Sequence, residues 1–244
     1  MKFENTKVFN FKGALRGMRN PMNSWDKNDS FCVGEGLHED CMKCSDRNYC
    51  EYAMSSCGGD RFRAGNYIGK NDLKLAQKLI AAGGEHRKYL RQIFVSVDIT
   101  APIFWWKEAS TYKIGTTANS TSTMHKLATT PITRDCFEMD DYEGRLGLID
   151  PQILDVRIDS WIDDLEQLRQ MYNMTNDKRY WKELIRWLPE SWLQTRTWTA
   201  NYEVLRNIYF QRRNHKLTEW NTFCNWIKTL PYAEELIMYE GEKG

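Results

Sequence analysis

The 244-residue sequence has no apolar run that approaches the ~18–20 residues of a membrane span, and its first residues contain no signal-peptide core. We therefore expect a cytoplasmic protein that does not enter a membrane. The sequence also lacks an excess of either charge, because 34 basic and 33 acidic residues give a net charge of +1. A general binder of nucleic-acid polymers should carry a basic excess, so that class is not expected. A local phosphate pocket stays compatible with this balance.

Internal repeats and low-complexity tracts are absent as well. With 41% apolar and 27% charged residues, the composition is typical of a globular chain. The length is sufficient for a full hydrophobic core, and we predict a single domain over residues 1–244. The ten tryptophans are the unusual component. They supply core mass and flat surfaces on which a ring system could stack.

Hydrophobic periodicity predicts an α+β fold, in which a small sheet packs with several long helices. Residues 1–30 are short apolar pieces broken by turn residues, which predicts strands, turns or loop. Asn71-Asp72 is predicted to cap a helix that Gly83-Gly84 ends. Residues 91–99 alternate between apolar and polar side chains, which predicts a strand with one buried face. That face would carry Ile93, Val95, Val97 and Ile99.

The rest of the chain is predicted to be mainly helical. Pro102 suits the first turn of a helix over much of 103–113. Asp150-Pro151 opens the most regular pattern, a helix over residues 151–170 with apolar side chains at helical spacing. The remaining helices are predicted near 178–188, near 199–213, and from an N-cap at Thr218 to Pro231.

Two polar segments have the groups that bind anions. Residues 119–123 offer short side chains and backbone amides suited to phosphate or ribose oxygens. Arg212, Arg213, His215 and Lys216 place four basic groups within five residues. Guanidinium groups there could clamp a phosphate or a pyrimidine carbonyl. Each segment also has an ordinary interpretation, namely a solvated Ser/Thr loop and a basic helix end favoured by the helix dipole.

The seven cysteines need an explanation in a reducing compartment, where structural disulfides are rare. Residues 31–66 are rich in Cys and Gly and show little periodicity, so we predict an insertion near the N-terminus. A predicted tetrahedral metal site within it would use Cys41, Cys44, Cys50 and Cys57. Zinc, an iron–sulfur cluster and free thiols all stay open as interpretations. Cys136 and Cys224 are predicted as isolated core thiols.

A series of short motifs follows one order along the chain. They are Gly84-Glu85-His86, Ala101-Pro102-Ile103-Phe104, Glu108, Thr111-Tyr112-Lys113, Asn119-Ser120-Thr121-Ser122, Arg186 before Leu188-Pro189, Asn201 with Asn207, and Arg213 seven residues before Trp220. This order and spacing resemble the flavin-dependent thymidylate synthases of the ThyX type, over roughly residues 71–126 and 186–220. The resemblance implies a ThyX-like fold into which residues 31–66 are inserted.

The resemblance also implies a role for each position. Flavin contacts would be made by His86, Tyr112, Lys113, Asn119, Asn201 and Asn207. The nucleotide would be bound by Glu108, Ser120, Ser122 and Arg186. Arg213 would polarise the pyrimidine so that its C5 becomes nucleophilic without a cysteine. Arg212 has the right spacing from Asn207 and is a second candidate for that role.

Several positions depart from the family pattern. Thr111, Ser120 and Met124 stand where the family has Arg, Glu and Arg, and Lys113 replaces the second triplet arginine. A lysine point charge does not reproduce the bidentate contacts of a guanidinium. Glu108 replaces a Gln, and its carboxylate could accept a hydrogen bond from the amine of cytosine. Both dUMP and dCMP are therefore candidate substrates.

The implied function is reductive one-carbon transfer to C5 of a pyrimidine nucleotide. FAD would be the bound cofactor, with NADPH and methylenetetrahydrofolate as co-substrates. A homotetramer with active sites shared between subunits is implied, with no nucleic-acid polymer as a partner. The alternative is a non-catalytic ThyX-like scaffold that binds a nucleotide or another protein, because a fold alone does not determine function.

Overall fold

The computed structural model describes residues 1–32, 66–139 and 150–241, which form six strands and eight α-helices. The strands are β1 (Lys2–Phe9), β2 (Phe31–Cys32), β3 (Asn66–Tyr67), β4 (Phe94–Pro102), β5 (Thr117–Ser120) and β6 (Leu193–Asn201). The helices are α1 (Phe11–Arg19), α2 (Lys70–Ala81), α3 (Ile103–Ala109), α4 (Thr123–Lys126), α5 (Pro151–Thr175), α6 (Lys178–Trp187), α7 (Tyr202–Arg212) and α8 (Thr218–Lys228). This mixture confirms the predicted α+β class.

Four strands form one sheet in the order β1–β4–β6–β5, and β2 pairs antiparallel with β3. The predicted alternation of β4 is confirmed, since Val95, Val97 and Ile99 each expose 1% or less of their surface. The strand begins at Phe94, three residues later than predicted. The reason is that Lys88–Gln92 form a 3₁₀ segment before it.

The first of two compact units consists of Met1–Phe3, Asp98–Thr111 and Ala118–Thr197. Its core is a cluster of apolar side chains from α5, α6 and the segment after α4. The buried members are Leu127, Ile132, Phe137, Ile162, Leu165 and Leu184. The predicted helical pattern of α5 therefore marks a core-facing stripe from Ile158 to Leu168, but not at the start of the helix, where Ile153 is 51% exposed.

Local hydrogen bonds set both ends of α5. The Asp150 carboxylate accepts from the backbone N–H of Gln152 at 2.9 Å, which confirms the predicted N-terminus. The helix continues to Thr175, five residues beyond the predicted end. It ends at Asn176, whose φ of 56° lies in the left-handed region that asparagine tolerates better than most residues.

The second unit consists of Glu4–Val97, Tyr112–Thr117 and Trp198–Gly244. Its core combines α1, α2, α7 and α8. The face predicted for α8 is confirmed, because Trp220, Phe223, Cys224, Ile227 and Leu230 are all buried. The helix begins with Thr218 as its first residue, so the N-cap is Leu217 and not Thr218 as predicted.

The prediction of strands, turns or loop for residues 1–30 missed a helix. After β1, α1 buries Phe11, Ala14, Leu15 and Met18 at helical spacing. The nine-residue helix is bounded by Asn and Pro, and those turn residues dominated the sequence pattern.

The predicted cap of α2 at Asn71-Asp72 is also wrong. The helix begins at Lys70, and the carboxylate of Asp29 accepts from the backbone N–H groups of Asn71 and Asp72 at 2.8 and 3.0 Å. Asp72 itself is fully buried, where it pairs with the buried Arg19 at 2.5 Å. A cap supplied from more than forty residues away along the chain leaves no local signal.

The helix predicted near 199–213 starts later, because residues Leu193–Asn201 form the strand β6. The predicted helix over 103–113 ends at Ala109. Both the backbone N–H and the hydroxyl of Thr111 donate to the carbonyl of Glu108, at 3.0 and 2.7 Å, and they terminate it. Residues 112–116 follow as an irregular segment up to β5.

Most of the predicted insertion lies outside the described residues. That includes Cys41, Cys44, Cys50 and Cys57, so the metal site stays a prediction. Within the described ranges, no group of three His, Cys, Asp or Glu side chains could hold a metal ion. None of the helices described is long and apolar enough to cross a membrane.

Candidate functional site

One predicted residue of the second unit, Asn201, lies where α7 begins. Asn201 is the N-cap of α7, is 8% exposed, and accepts from the backbone N–H of Val204 at 3.0 Å. Gly115 lies against this cap with a φ of +78°. A Cβ at Gly115 would lie 3.0 Å from both the Asn201 amide nitrogen and Val204 Cγ2. Glycine therefore allows the irregular segment 112–116 to approach the start of α7.

At the other end of α7, Arg212 belongs to a polar and aromatic group that we call the Arg212 cluster, comprising Tyr112, Gln211, Arg212 and Trp220. Arg212 Nε donates to the Tyr112 hydroxyl at 2.9 Å, and that hydroxyl donates to Gln211 Oε1 at 2.9 Å. The guanidinium carbon lies 4.7 Å from the centre of the Trp220 ring, a cation–π distance. These contacts hold the half-buried guanidinium of Arg212 in one orientation.

Arg213 has different neighbours. Its guanidinium pairs with the carboxylate of Glu240 at 2.6 Å and lies 4.9 Å from the Phe210 ring centre. The side chain is 42% exposed. Of the two adjacent arginines, only Arg212 contacts a residue of the predicted triplet, namely Tyr112.

In the first unit, the predicted nucleotide residues lie on α3 and around β5. Glu108 is half-buried in the last turn of α3. Asn119 and Ser120 are exposed on β5, and Ser122 is half-buried just beyond it. The predicted loop at 119–123 is therefore partly a strand, with the backbone N–H of Thr121 donating to the Thr195 carbonyl at 2.9 Å.

Facing this segment is a set of side chains that the sequence analysis missed, which we call the Arg196 face. It comprises Ser110, Thr121, Thr123, Gln194 and Arg196. The Gln194 amide donates to the Thr121 carbonyl at 2.8 Å, and Arg196 Nε donates to Gln194 Oε1 at 3.0 Å. Two polar side chains at positions i and i+2 share one face of a strand. That signal was available in Gln194-Thr195-Arg196-Thr197, but the stretch was not recognised as a strand.

Other predicted residues are dispersed over the surface. His86, Lys113 and Asn207 are exposed in the second unit, and Arg186 is exposed at the end of α6, where it pairs with Glu183. No hydrogen bond, ion pair or ring contact joins His86, Lys113 or Asn207 to Arg212 within the described chain. Exposed groups of this kind contribute to a site only when a ligand lies against them.

The two cysteines whose side chains the structure describes are not arranged as nucleophiles. Cys224 is buried on α8, and burial raises the pKa of its thiol to about 11. The thiol therefore stays protonated at neutral pH. The Cys136 thiol contacts the carbonyl of Pro131 at 3.7 Å. The burial of Cys224 confirms the predicted core thiol, whereas Cys136 is only partly buried, packed against the core of the first unit.

A cavity of about 500 Å³ lies between α5 and α6 in the first unit. Its walls are mainly apolar and include Trp161, Leu165, Met171 and Trp187. None of the predicted site residues lines it. The cavity therefore gives no support to the predicted nucleotide or flavin contacts.

The sequence matches no protein-family model and no curated protein. The structure does match crystal structures of the flavin-dependent thymidylate synthase ThyX from Helicobacter pylori, complexed with FAD and dUMP. One match has a TM-score of 0.60 and 16% identity and covers 99% of this chain and 100% of that chain. A second has a TM-score of 0.63 and 15% identity and covers 97% of both chains. The predicted resemblance is confirmed at the level of architecture: this chain has the ThyX fold.

Proposed function

We propose that the protein is a flavin-dependent thymidylate synthase-like enzyme, which transfers a one-carbon unit reductively to C5 of a pyrimidine nucleotide. The observation that supports this most strongly is the likeness in fold, over nearly the whole chain, to structures that hold FAD and dUMP. A fold alone does not specify a reaction, so the assignment of roles below rests on the local chemistry of each residue.

Arg212 is the proposed catalytic residue. Its guanidinium is held by the Tyr112 hydroxyl and by the face of Trp220, so its orientation costs little to maintain during the reaction. A fixed cation beside a pyrimidine carbonyl stabilises the negative charge that develops as C5 becomes nucleophilic. Arg213 is the less suitable candidate because its charge is already paired with Glu240.

The pyrimidine nucleotide is proposed to contact Glu108, Ser120, Ser122 and Arg186. Glu108 would accept a hydrogen bond from the base, and a carboxylate matches the exocyclic amine of cytosine better than an oxygen of uracil. The hydroxyls of Ser120 and Ser122 are donors suited to a phosphate oxygen. Arg186 would have to exchange its exposed ion pair with Glu183 for the ligand, at little cost.

FAD is the proposed cofactor, and when bound it would supply the hydride that reduces the transferred carbon. The residues at hand fit such a group: Lys113 offers an exposed ammonium that no carboxylate pairs with in the described chain, and Asn207 offers an exposed amide. Asn201, Asn119, His86 and Tyr112 would add polar contacts. NADPH and methylenetetrahydrofolate are the proposed co-substrates, in line with the resemblance.

Spectra and substrate assays test the proposal directly. Purified protein is expected to be yellow, or to become yellow after incubation with FAD, with the absorbance of a bound flavin. It should then release tritium from 5-labelled dUMP or 5-labelled dCMP, and the faster substrate identifies the base. A colourless protein that FAD does not reconstitute contradicts the proposal. A flavoprotein that releases no tritium from either nucleotide contradicts the proposed reaction, and a protein that binds a nucleotide but no FAD is the scaffold alternative.

Two further expectations accompany this function. A cytoplasmic homotetramer with shared sites would have four times the 28.9 kDa mass of the chain by light scattering, and an active monomer would contradict it.

The cysteine segment is proposed to bind zinc as a structural ion. Metal content should fall in the double variant Cys41→Ser, Cys44→Ser, and unchanged content would exclude these ligands.

A further inference from the structure

Arg196 is a half-buried cation for which the described residues provide no carboxylate. Its Nε donates to Gln194 Oε1 at 3.0 Å, and its Nη1 lies 3.4 Å from the Ser110 hydroxyl. The guanidinium carbon lies 4.3 Å from the centre of the Trp106 ring. Every one of these partners is neutral. Burial lowers the pKa of Arg196, and no acidic group opposes that shift.

A comparison with Arg169 shows why the neutral surroundings of Arg196 are unusual. Arg169 is similarly sheltered in the same unit, at 12% exposure, but it donates to both oxygens of Glu166 and to the Ala128 carbonyl. A guanidinium keeps its proton when it is partly buried, so its charge needs compensation. Arg169 obtains that compensation from Glu166, whereas no carboxylate among the described residues compensates Arg196.

The groups around Arg196 are suited to an anion. The Trp106 indole N–H donates to the Gln194 carbonyl at 2.9 Å, which fixes the ring under the guanidinium. A guanidinium stacked on an aromatic ring keeps its in-plane N–H groups directed away from that ring. Gln194 links the strand to the Thr121 carbonyl and, at 3.4 Å, to the Thr123 hydroxyl. The Ser110 hydroxyl and the Gln194 amide therefore lie beside a cation that no carboxylate of the described residues compensates.

We propose that Arg196 supplies the guanidinium of a subsite for a phosphomonoester, with the hydroxyls of Ser110 and Thr123 beside it. The inference deepens the proposed function, on which the choice of a nucleotide phosphate rests. It accounts for a feature of this chain that the resemblance left unexplained, because Thr111 and Met124 lack the guanidinium groups expected at those positions. The cation comes from strand β6, next to β5 in the sheet, instead of from either of those two positions.

Binding measurements with three probes test the subsite without using flavin or turnover. Inorganic phosphate, dUMP and 2′-deoxyuridine are titrated calorimetrically into the wild type and into Arg196→Gln. The wild type should bind dUMP more tightly than 2′-deoxyuridine. In Arg196→Gln the affinity for dUMP should fall roughly ten- to hundredfold, the size of a lost charge-assisted contact. Affinity for 2′-deoxyuridine should stay unchanged, and that for inorganic phosphate should disappear.

Two more variants control for charge and folding. Arg134→Gln removes one positive charge from the same unit, but that charge is already paired with Asp155 and Asp159, so dUMP affinity should not change. Arg196→Lys keeps the charge without the planar stack and should recover part of the phosphate affinity. Recovery in Arg196→Lys would also show that the loss of affinity in Arg196→Gln does not come from misfolding. The Tm of Arg196→Gln is measured as a second check on its folding.

Each remaining outcome decides a different question. Equal dUMP affinity in Arg196→Gln and the wild type overturns the subsite. A wild type that binds neither inorganic phosphate nor dUMP overturns it as well. Phosphate binding that Arg196→Gln removes, in a protein that takes up no FAD and releases no tritium, supports the subsite and contradicts the proposed enzyme.

Discussion

At the scale of single residues, two adjacent arginines illustrate what the sequence determined and what it left open. The basic cluster and its spacing from Asn207 and Trp220 are visible in the sequence, and they select both Arg212 and Arg213. The choice between them depends on Tyr112, whose hydroxyl bonds Arg212 although it lies 100 positions earlier in the chain. Contacts over that separation have no local pattern, so only the structure supplies them.

The roles of the two arginines can be separated by mutation. Arg212→Ala should lower the rate of tritium release by about a hundredfold or more, the usual cost of removing one group that stabilises developing charge. Arg213→Ala should retain most of the activity, because it loses only surface contacts, namely the ion pair with Glu240 and the contact with the Phe210 ring.

Bound flavin, measured by absorbance, should stay unchanged in both variants. It serves as the control for folding, since a variant that loses its cofactor would be inactive for a trivial reason. Equal losses of activity in Arg212→Ala and Arg213→Ala would contradict the assignment of the catalytic role to Arg212.

At the scale of secondary structure, the most regular elements were predictable and the sheet was only half recognised. The strand β4 and the helix α8 show strong periodicity, and their buried faces agree with the prediction, whereas the apolar pattern of α5 faces the core only beyond its first turn. The strand β6 was predicted in part as helix, because its alternation is between threonines and mixed side chains instead of between apolar and polar ones. The Arg196 face was missed for that same reason.

The segment that follows α4 offers a test at this scale, because one carboxylate holds it against α5. Glu166 accepts from Arg169 and from the backbone N–H of Ile132 at 2.8 Å. These hydrogen bonds, that of Arg169 foremost, lower the pKa of Glu166 to about 2 from an ordinary value of 4.5. The carboxylate therefore stabilises the folded state fully above pH 4.5, and this contribution is lost as the pH falls towards 2.

Glu166→Gln should remove that pH-dependent contribution. At pH 7 the variant should be less stable by about 1–3 kcal/mol, the cost of lost charge-assisted hydrogen bonds. Between pH 4.5 and 2 the wild type should lose more stability than the variant, so their unfolding curves should converge. Urea unfolding at several pH values measures both effects.

The matched control for this comparison is Glu190→Gln, which removes a carboxylate from an exposed ion pair with Lys107. Exposed pairs contribute little, so its stability should follow the wild type at every pH. A difference between wild type and Glu166→Gln that does not shrink towards pH 2 would contradict the proposed role of Glu166.

At the scale of the whole molecule, the order of the motifs predicted the architecture even though no single motif is decisive. The identity to the matching ThyX structures is 15–16%, which leaves few shared residues outside such motifs. That order of motifs does not determine the reaction that the protein catalyses. Glu108, Thr111 and Ser120 differ from the family pattern, and the fold is indifferent to those differences because they lie at exposed or half-buried positions.

Ligand-dependent stability connects the architecture to the chemistry in one measurement. A ligand that binds only the folded protein stabilises it by about 2.7 kcal/mol at a hundred times its Kd. For a chain of this size, each kcal/mol raises Tm by about 2–4 °C. Saturating FAD should therefore raise Tm by about 5–10 °C.

The pattern of shifts separates the two classes of function. An enzyme of the proposed kind should respond to FAD and, further, to dUMP or dCMP, with the larger shift for the better substrate. A nucleotide-binding scaffold should respond to the nucleotide and not to FAD. NADPH alone is the control for a general effect of nucleotides, because it should bind productively only to protein that already holds flavin. No shift with FAD at a concentration that saturates flavoproteins would contradict the cofactor assignment, because a bound flavin must stabilise the state that binds it.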